Sequence, residues 1–224
     1  MKPPKPYGHA KPAPLRETPN PFSSAQFLMS CAAVTQLPAD GLPEIAFAGR
    51  SNAGKSTALN MLCNQRQLAR VSKTPGRTQL INLFTVPGGR FTDLPGYGFA
   101  EVPKDIRKAW GVLIGDYLDG RANLRGIVHI MDIRHPLTAF DVQMLEWTAH
   151  RNLECLVLLT KADKLGFGAA KTTLLQVQKA VAGLPLTKVQ LFSSTSRLGV
   201  DEARLKMLDW LRPAAETAEP ENKA

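Results

Sequence analysis

The sequence predicts an α/β fold in which a mainly parallel sheet of six strands is covered by helices on both faces, as a three-layer sandwich. Short apolar runs suited to buried strands alternate with longer amphipathic stretches, and this alternation is typical of βαβ units. The predicted strands cover residues 44–48, 81–86, 90–93, 126–132, 153–160 and 188–192. The predicted helices cover residues 55–63, 104–118, 139–151, 169–182 and 200–211.

The second and third predicted strands are joined by a link that is too short for a crossover helix. Only Pro87, Gly88 and Gly89 separate them, and so short a link permits an antiparallel hairpin. We therefore expect one antiparallel strand in an otherwise parallel sheet.

A chain of 224 residues is long enough to bury the core of one large domain, which we assign to residues 23–212. Residues 1–22 are rich in proline and lysine and predict a disordered basic arm, and residues 213–224 predict a flexible tail. No apolar run approaches the ~20 residues of a membrane span, and the N-terminus does not resemble a secretory signal. We therefore expect a cytoplasmic protein without a membrane partner. We also expect it to be a monomer.

The formal net charge of +9 favours polyanionic partners, of which RNA is the most abundant in a cytoplasm. Solvated surface lysines would give the same total, so charge alone leaves both interpretations open. The basic residues are clustered, at Arg66, Arg70, Lys73 and Arg77 and again at Lys104, Arg107 and Lys108.

The cysteines and histidines predict mainly structural roles. Cys31, Cys63 and Cys155 are widely spaced, which favours reduced thiols over a disulfide framework or a zinc site. His129 lies within a strand pattern and is expected to pack in the core. His135 follows the same strand, and the sequence assigns it no role.

Residues 49–56 read GRSNAGKS and lie between a strand pattern and a helix pattern. In this position a glycine-rich turn binds phosphate, because its backbone N–H groups point at the oxyanions and the helix N-terminus adds partial positive charge. Lys55 is expected to reach the β and γ oxygens, and Ser56 to ligate Mg²⁺. The predicted loop comprises Gly49, Arg50, Ser51, Asn52, Ala53, Gly54, Lys55 and Ser56.

Three further nucleotide-binding motifs follow predicted strands in the expected order. In the first, Asp93 is expected to bind Mg²⁺ through water, and the N–H of Gly96 to sense the γ-phosphate. In the second, Asp163 can accept hydrogen bonds from N1 and N2 of guanine, which adenine does not offer, while the Lys161 stem lies along the base. In the third, backbone groups can donate to guanine O6. The motifs comprise Asp93, Leu94, Pro95 and Gly96; Thr160, Lys161, Ala162 and Asp163; and Phe192, Ser193 and Ser194.

The segment between the phosphate loop and Asp93 has the composition of a mobile loop. Thr78 is the preferred second Mg²⁺ ligand, because it adjoins the strand that would hold it over the γ-phosphate, and Thr74 is the alternative. The residues assigned to the nucleotide site here are Gly76, Arg77, Thr78, Gln79 and Leu80.

The segments LPEIAFAGRSNAGKST, SKTPGRTQLINLF, DLPGYGFAEVP, MDIRHPL, LVLLTKADKL and FSS closely resemble the bacterial EngB (YsxC/YihA) family of GTPases. The resemblance implies a P-loop NTPase fold and a cytoplasmic, Mg²⁺-dependent GTPase. It also implies a role in assembly of the large ribosomal subunit, with a subunit precursor and rRNA as partners. Loss of such a protein is expected to disturb growth and cell division. Thr160 stands where most GTPases carry Asn, which we expect to weaken guanine binding.

The sequence predicts slow hydrolysis with catalytic roles for Lys55, Asn52, Thr78 and Gly96. Tyr97 follows the DxxG glycine where many signalling GTPases carry a water-orienting Gln, so intrinsic turnover is expected to be low. By analogy with related GTPases, Asn52 is expected to coordinate K⁺ near the phosphates.

Three other classes remain as alternatives at this stage. A P-loop small-molecule kinase would not explain Asp163 or the ordered DxxG motif. A membrane-traffic switch would need a lipidation cysteine, and the sequence ends Glu-Asn-Lys-Ala224. A GTP-dependent RNA clamp with negligible hydrolysis shares every motif and differs only in turnover.

Overall fold

The structure is a computed structural model that describes residues 20–69, 80–97 and 104–213, with backbone only for residues 104–110. The strands are β1 (Gln26–Cys31), β2 (Glu44–Gly49), β3 (Ile81–Val86), β4 (Gly89–Asp93), β5 (Leu124–Asp132), β6 (Glu154–Thr160) and β7 (Thr187–Leu191). The helices are α1 (Lys55–Leu62), α2 (Lys104–Gly120), α3 (Ala139–His150), α4 (Phe167–Ala180) and α5 (Val200–Leu211). Where an element was predicted, its ends differ from these bounds by at most two residues.

Within the described residues the sheet has seven strands, in the order β1-β3-β4-β2-β5-β6-β7, so the predicted count of six is wrong. The additional strand is β1, which pairs only with β3 and therefore forms an edge. Its pattern shows no alternation, because Phe27 and Leu28 are both exposed and the register shifts between Phe27 and Met29. A strand that buries little apolar surface leaves a weak sequence signal.

The prediction of one antiparallel strand is confirmed. Strand β3 runs antiparallel to both of its neighbours, β1 and β4, whereas β2, β4, β5, β6 and β7 pair in parallel. The β3–β4 link turns at Gly88, whose φ of +82° lies in the left-handed region that glycine adopts without strain.

Helices cover both faces of the sheet, as predicted. Helices α1 and α5 pack on one face against side chains such as Ile45 and Phe47. Helices α2, α3 and α4 pack on the other face, where Ala46 and Ile127 lie beneath α2 and α3 and Val157 lies beneath α4. None of the helices in the described ranges combines the length and the apolar composition that crossing a membrane requires.

Strand β2 lies in the centre of the sheet, and all six of its residues are buried. At its start, the fully buried Glu44 accepts hydrogen bonds from Arg121 and from the Tyr117 hydroxyl, the latter at 3.1 Å. At its opposite end, β2 leads into the predicted phosphate loop. The parallel strands beside it deliver their carboxyl ends to this same edge, where open α/β sheets bind their ligands.

The three cysteines are free and buried, as expected for reduced thiols. Burial raises the pKa of Cys63 and Cys155 to about 12, so both remain protonated at neutral pH.

Candidate nucleotide-binding site

The predicted phosphate loop connects β2 directly to α1, in the strand–turn–helix arrangement that the motif requires. A Cβ at Gly49 would lie 2.6 Å from the Ile130 carbonyl oxygen of β5, so close strand packing excludes any side chain there. Gly54 precedes the first helical residue with φ +100°, and Asn52 also has positive φ, at +62°. This backbone leaves Lys55 and Ser56 in the first turn of α1.

The DxxG motif lies against the phosphate loop. The Leu94 N–H donates to the Phe47 carbonyl at 3.0 Å, and the Ser51 N–H donates to the Tyr97 carbonyl at 2.7 Å. A Cβ on Gly96 would lie 3.4 Å from the Ser51 Cα, so the two loops are in van der Waals range. Leu94 and Pro95 are buried.

The Lys55 ammonium forms an ion pair with the carboxylate of Asp93 at the end of β4. Both side chains are about nine-tenths buried, with exposed fractions of 11% and 9%. The predicted phosphate-binding cation and the predicted metal-binding carboxylate are thus in direct contact, with Ser56 next along α1.

Tyr97 does not direct its side chain towards solvent. It is 5% exposed, and its hydroxyl oxygen lies 2.7 Å from His129 Nε2 and 3.2 Å from Asp141 Oδ1. The prediction that His129 packs in the core is confirmed by its exposed fraction of 0%. No local pattern linked these three residues, because they lie on different elements.

Thr160, at the position where most GTPases carry Asn, connects the base-reading motif to the phosphate loop. Its hydroxyl is buried and lies 2.5 Å from the Ala53 carbonyl and 3.0 Å from the Met131 carbonyl. A hydroxyl has one hydrogen, so it donates to one of these oxygens at a time. The residue therefore ties β6 to the phosphate loop and to β5.

Lys161 makes a second connection to the phosphate loop. Its Nζ donates to the Asn52 carbonyl at 2.7 Å and to Asp132 Oδ2 at 2.9 Å. Asp132 also accepts from the Arg134 guanidinium and backbone N–H. Burial raises the pKa of Asp132, but these hydrogen bonds from Arg134 and Lys161 outweigh it and hold the pKa well below its usual range.

The sequence motifs predicted no role for Asp132 or Arg134. Asp132 is the last residue of β5 and begins the segment DIRHPL, so its position at a strand end was an available signal. His135, three residues after the end of β5, is exposed.

The two segments predicted to contact the base, one containing Asp163 and the other Ser193, are joined through these side chains. The Ser193 hydroxyl donates to Asp163 Oδ1 at 2.6 Å and accepts from the N–H groups of Thr195 and Ser196. The hydrogen bond from Ser193 lowers the pKa of Asp163, so its carboxylate is ionised at neutral pH. The Ala162 N–H donates to the Phe192 carbonyl at 3.2 Å.

A pocket of about 210 Å³ opens between α1 and these segments. The residues lining it include Gly54, Thr160, Lys161, Asp163, Phe192 and Ser194. Residues predicted from separate motifs to surround a purine base thus meet around one cavity.

The remaining predicted site residues precede β3 in the sequence. Leu80 is described and is exposed, at 37%. Thr74, Gly76, Arg77, Thr78 and Gln79 lie outside the described residues.

Known proteins resemble this chain along most of its length. Residues 44–161 match the family described as 50S ribosome-binding GTPase. Over 205 residues the chain is 51% identical to the probable GTP-binding protein EngB of Escherichia coli strain K12, an alignment that covers 89% of this chain and 98% of the relative. The chain belongs to the EngB family.

Solved structures agree with this assignment at the level of the fold. The crystal structure of a probable GTP-binding protein EngB superposes with a TM-score of 0.63 and 20% identity, covering 75% of this chain and 98% of that one. Era, solved with MgGDPNP and nucleotides 1506–1542 of 16S ribosomal RNA, superposes with a TM-score of 0.59 and 21% identity over 81% of this chain and 59% of that one. This EngB-family chain is a GTP-binding protein and a GTPase with a P-loop fold.

Proposed function

We propose that this protein is a cytoplasmic, Mg²⁺-dependent GTP switch that binds a precursor of the large ribosomal subunit, and that normal growth and cell division depend on it. The observation that carries the proposal is the connection of all four motifs along one sheet edge. The DxxG segment joins the phosphate loop through Tyr97 and Ser51, and the base-reading motif joins it through Thr160 and Lys161. A change at the γ-phosphate can therefore alter neighbouring loops while the base remains bound.

In this proposal different residues of the described chain bind the base and the phosphates. Asp163, ionised and oriented by Ser193, accepts from N1 and N2 of guanine. The alkyl stem of Lys161 lies along the base while its ammonium remains on the Asn52 carbonyl. Backbone N–H groups of the phosphate loop bind the phosphate oxygens, and Lys55 leaves Asp93 to neutralise the terminal phosphates.

The residues present fit Mg²⁺. Ser56 and Asp93 supply a hydroxyl and a carboxylate, the hard oxygen ligands that Mg²⁺ prefers, with Thr78 proposed as a further ligand. The described part of the chain contains no cluster of three or more His, Cys, Asp and Glu side chains suited to a metal ion. Mg²⁺ usually keeps several waters and is bound through one or two carboxylates together with substrate phosphates, and Asp93 is the carboxylate proposed here. When bound, Mg²⁺ would neutralise charge on the β and γ oxygens.

Hydrolysis is proposed to be slow and to depend on K⁺. The Tyr97 hydroxyl is held in the core, so this residue is not available to orient the attacking water as Gln does. Asn52 is exposed on the phosphate loop, where its side-chain amide is proposed to coordinate K⁺ beside the phosphates. Turnover should be faster in KCl than in NaCl at equal ionic strength, and equal rates would rule out the K⁺ site.

The partner is proposed from the net charge of +9 together with the description of the matching family as 50S ribosome-binding. Arg77, Lys104, Arg107 and Lys108 are the proposed rRNA contacts, with Arg77 outside the described residues and the other three described as backbone only. Sedimentation with large-subunit precursors should show binding with a non-hydrolysable GTP analogue, weaker binding with GDP, and a steep loss as salt rises. Association that is independent of nucleotide or of salt would contradict the proposal.

The γ-phosphate switch has its own test in Gly96→Ala. The added Cβ would make an ordinary van der Waals contact with the Ser51 Cα at 3.4 Å, so the fold should tolerate it. In this proposal the added methyl obstructs the approach of a third phosphate to the Gly96 N–H and leaves the base contacts unchanged. The variant should lose its preference for the GTP analogue over GDP while retaining GDP affinity. An unchanged preference would refute the switch.

A further inference from the structure

Three buried polar side chains form a network beneath the DxxG segment. Tyr97, His129 and Asp141 are 5%, 0% and 2% exposed, and they come from the residue after the DxxG glycine, from the middle of β5 and from the first turn of α3. His129 Nε2 lies 2.7 Å from the Tyr97 hydroxyl and 3.2 Å from Asp141 Oδ1. The Tyr97 hydroxyl also lies 3.2 Å from Asp141 Oδ1.

One proton arrangement satisfies these contacts. Burial raises the pKa of Asp141, but hydrogen bonds from His129 and Thr138 outweigh it and leave the pKa below its usual value, so the carboxylate is ionised and only accepts. Burial, followed by the nearby charge of Asp141, raises the pKa of Tyr97 well above its usual value, so its hydroxyl remains protonated. The hydroxyl therefore donates to Asp141 Oδ1. His129 then carries its hydrogen on Nε2, directed at the tyrosine oxygen and the carboxylate, because a lone pair there would face Asp141.

The carboxylate has a second attachment. Asp141 Oδ2 accepts from the Thr138 N–H at 2.9 Å and from the Thr138 hydroxyl at 2.7 Å, which caps the N-terminus of α3. Asp141 is therefore fixed to a helix as well as to Tyr97. The network attaches the DxxG segment to the framework of β5 and α3.

Tyr97 is held on both sides. Its carbonyl accepts from the Ser51 N–H of the phosphate loop at 2.7 Å. On the other side, its ring centroid lies 5.8 Å from that of Phe140, and its hydroxyl contacts His129. The residue immediately before Tyr97 is Gly96. An apolar side chain could fill the same space without burying polar atoms. Tyr97 also forms directional hydrogen bonds, and these fix the position of its backbone in addition to filling the core.

We infer that Tyr97, His129 and Asp141 are positioning residues that fix the N–H of Gly96 at the γ-phosphate, so that they determine how strongly the protein prefers GTP to GDP. The inference rests on the proposed role of Gly96. Binding of GDP does not use that N–H and should be insensitive to the network, because a ligand reports only the groups with which it interacts differentially.

The test compares Tyr97→Phe with a matched control, Tyr117→Phe. Each substitution removes one buried tyrosine hydroxyl near a buried carboxylate, but Tyr117 contacts Glu44 at the opposite end of the sheet from the phosphate loop. Affinities for GDP and for a non-hydrolysable GTP analogue are measured by calorimetry with Mg²⁺ on the full chain. Tyr97→Phe should weaken the GTP analogue about three- to tenfold and change GDP less than about twofold, and Tyr117→Phe should leave the ratio unchanged.

Asp141→Asn is a second variant for the case in which Tyr97→Phe folds poorly. Its amide oxygen can still cap α3, whereas its NH₂ replaces the acceptor at Oδ1, so the same selective loss of GTP-analogue affinity is expected. Equal weakening of both nucleotides, no weakening of either, or the same ratio change in Tyr117→Phe would overturn the inference. If Gly96→Ala keeps its GTP preference, the proposed switch fails; if Gly96→Ala loses it and Tyr97→Phe does not, only the positioning role fails.

Discussion

Replacing Thr160 by Val tests whether the base-reading motif supports the phosphate loop. Val has nearly the same shape, so the substitution removes the buried hydroxyl 2.5 Å from the Ala53 carbonyl and 3.0 Å from the Met131 carbonyl without leaving a cavity. A typical intramolecular hydrogen bond contributes about 0.5–1.5 kcal/mol, and the total cost is about 1–3 kcal/mol where its loss leaves a buried carbonyl without a partner. Only the part of this free-energy loss that loosens the phosphate loop affects nucleotide binding. We therefore expect Thr160→Val to bind GTP and GDP alike about three- to tenfold more weakly.

The matched control for Thr160→Val is Thr148→Val. The Thr148 hydroxyl is also buried and donates to the Leu145 carbonyl at 2.8 Å, within α3. Both variants should lose comparable stability in urea unfolding, whereas only Thr160→Val should weaken nucleotide binding in calorimetry. Thr160→Ser, which keeps the hydroxyl, should restore most of the affinity. Wild-type nucleotide affinity in Thr160→Val, with the expected loss of stability, would refute the connection.

Three further predictions have distinct expected results. Gly49→Ala would bring a Cβ within 2.6 Å of a β5 carbonyl and should lower the free energy of unfolding by about 1–3 kcal/mol, whereas Gly111→Ala, with open space in α2, should raise it by about 0.5–1 kcal/mol in urea unfolding. Asp163→Asn should weaken GTP about a hundredfold or more in competition binding, because the amide presents N–H donors to guanine donors. Hydrogen bonds from Arg90 lower the pKa of Asp40 to about 2. The ionised carboxylate therefore stabilises the fold above its ordinary pKa of 3.8, and this contribution is lost as the pH falls through about 2. Asp40→Asn should lose less stability than the wild type across this pH range in acid unfolding.

Each of these predictions has a result that would contradict it. Equal stability of the two alanine variants would mean that the close approach at Gly49 does not constrain the fold. Full GTP affinity in Asp163→Asn would remove this carboxylate from base recognition. Parallel acid unfolding curves for wild type and Asp40→Asn would show that the Arg90 contact does not persist in solution.

Much of the fold was predictable because the parallel strands are buried on both faces. Residues 45–48 and 155–159 form continuous apolar runs, which the sequence shows without knowledge of tertiary structure. Strand β1 was missed because an edge strand pairs on one side only, and its Phe27 and Leu28 remain exposed. Pairing with β3 brings together residues far apart in the chain, which no local pattern records.

The phosphate loop and the base-reading motifs were predictable because each is a contiguous segment whose chemistry depends on local backbone shape. The connections between them were not. Lys161 contacts Asp132 across 29 residues, Tyr97 contacts His129 across 32, and His129 contacts Asp141 across 12. Such contacts arise only when the sheet and helices assemble.

We propose that one edge of the sheet recognises a guanine nucleotide through Asp163 and Lys161, and every other prediction about the site depends on this recognition. Calorimetry of the purified protein with Mg²⁺ and matched guanosine and adenosine triphosphates measures it most directly. The guanosine nucleotide should bind at least about a thousandfold more tightly, because adenine leaves the Asp163 carboxylate without its N1 and N2 donors. Comparable affinities for the two nucleotides would contradict it.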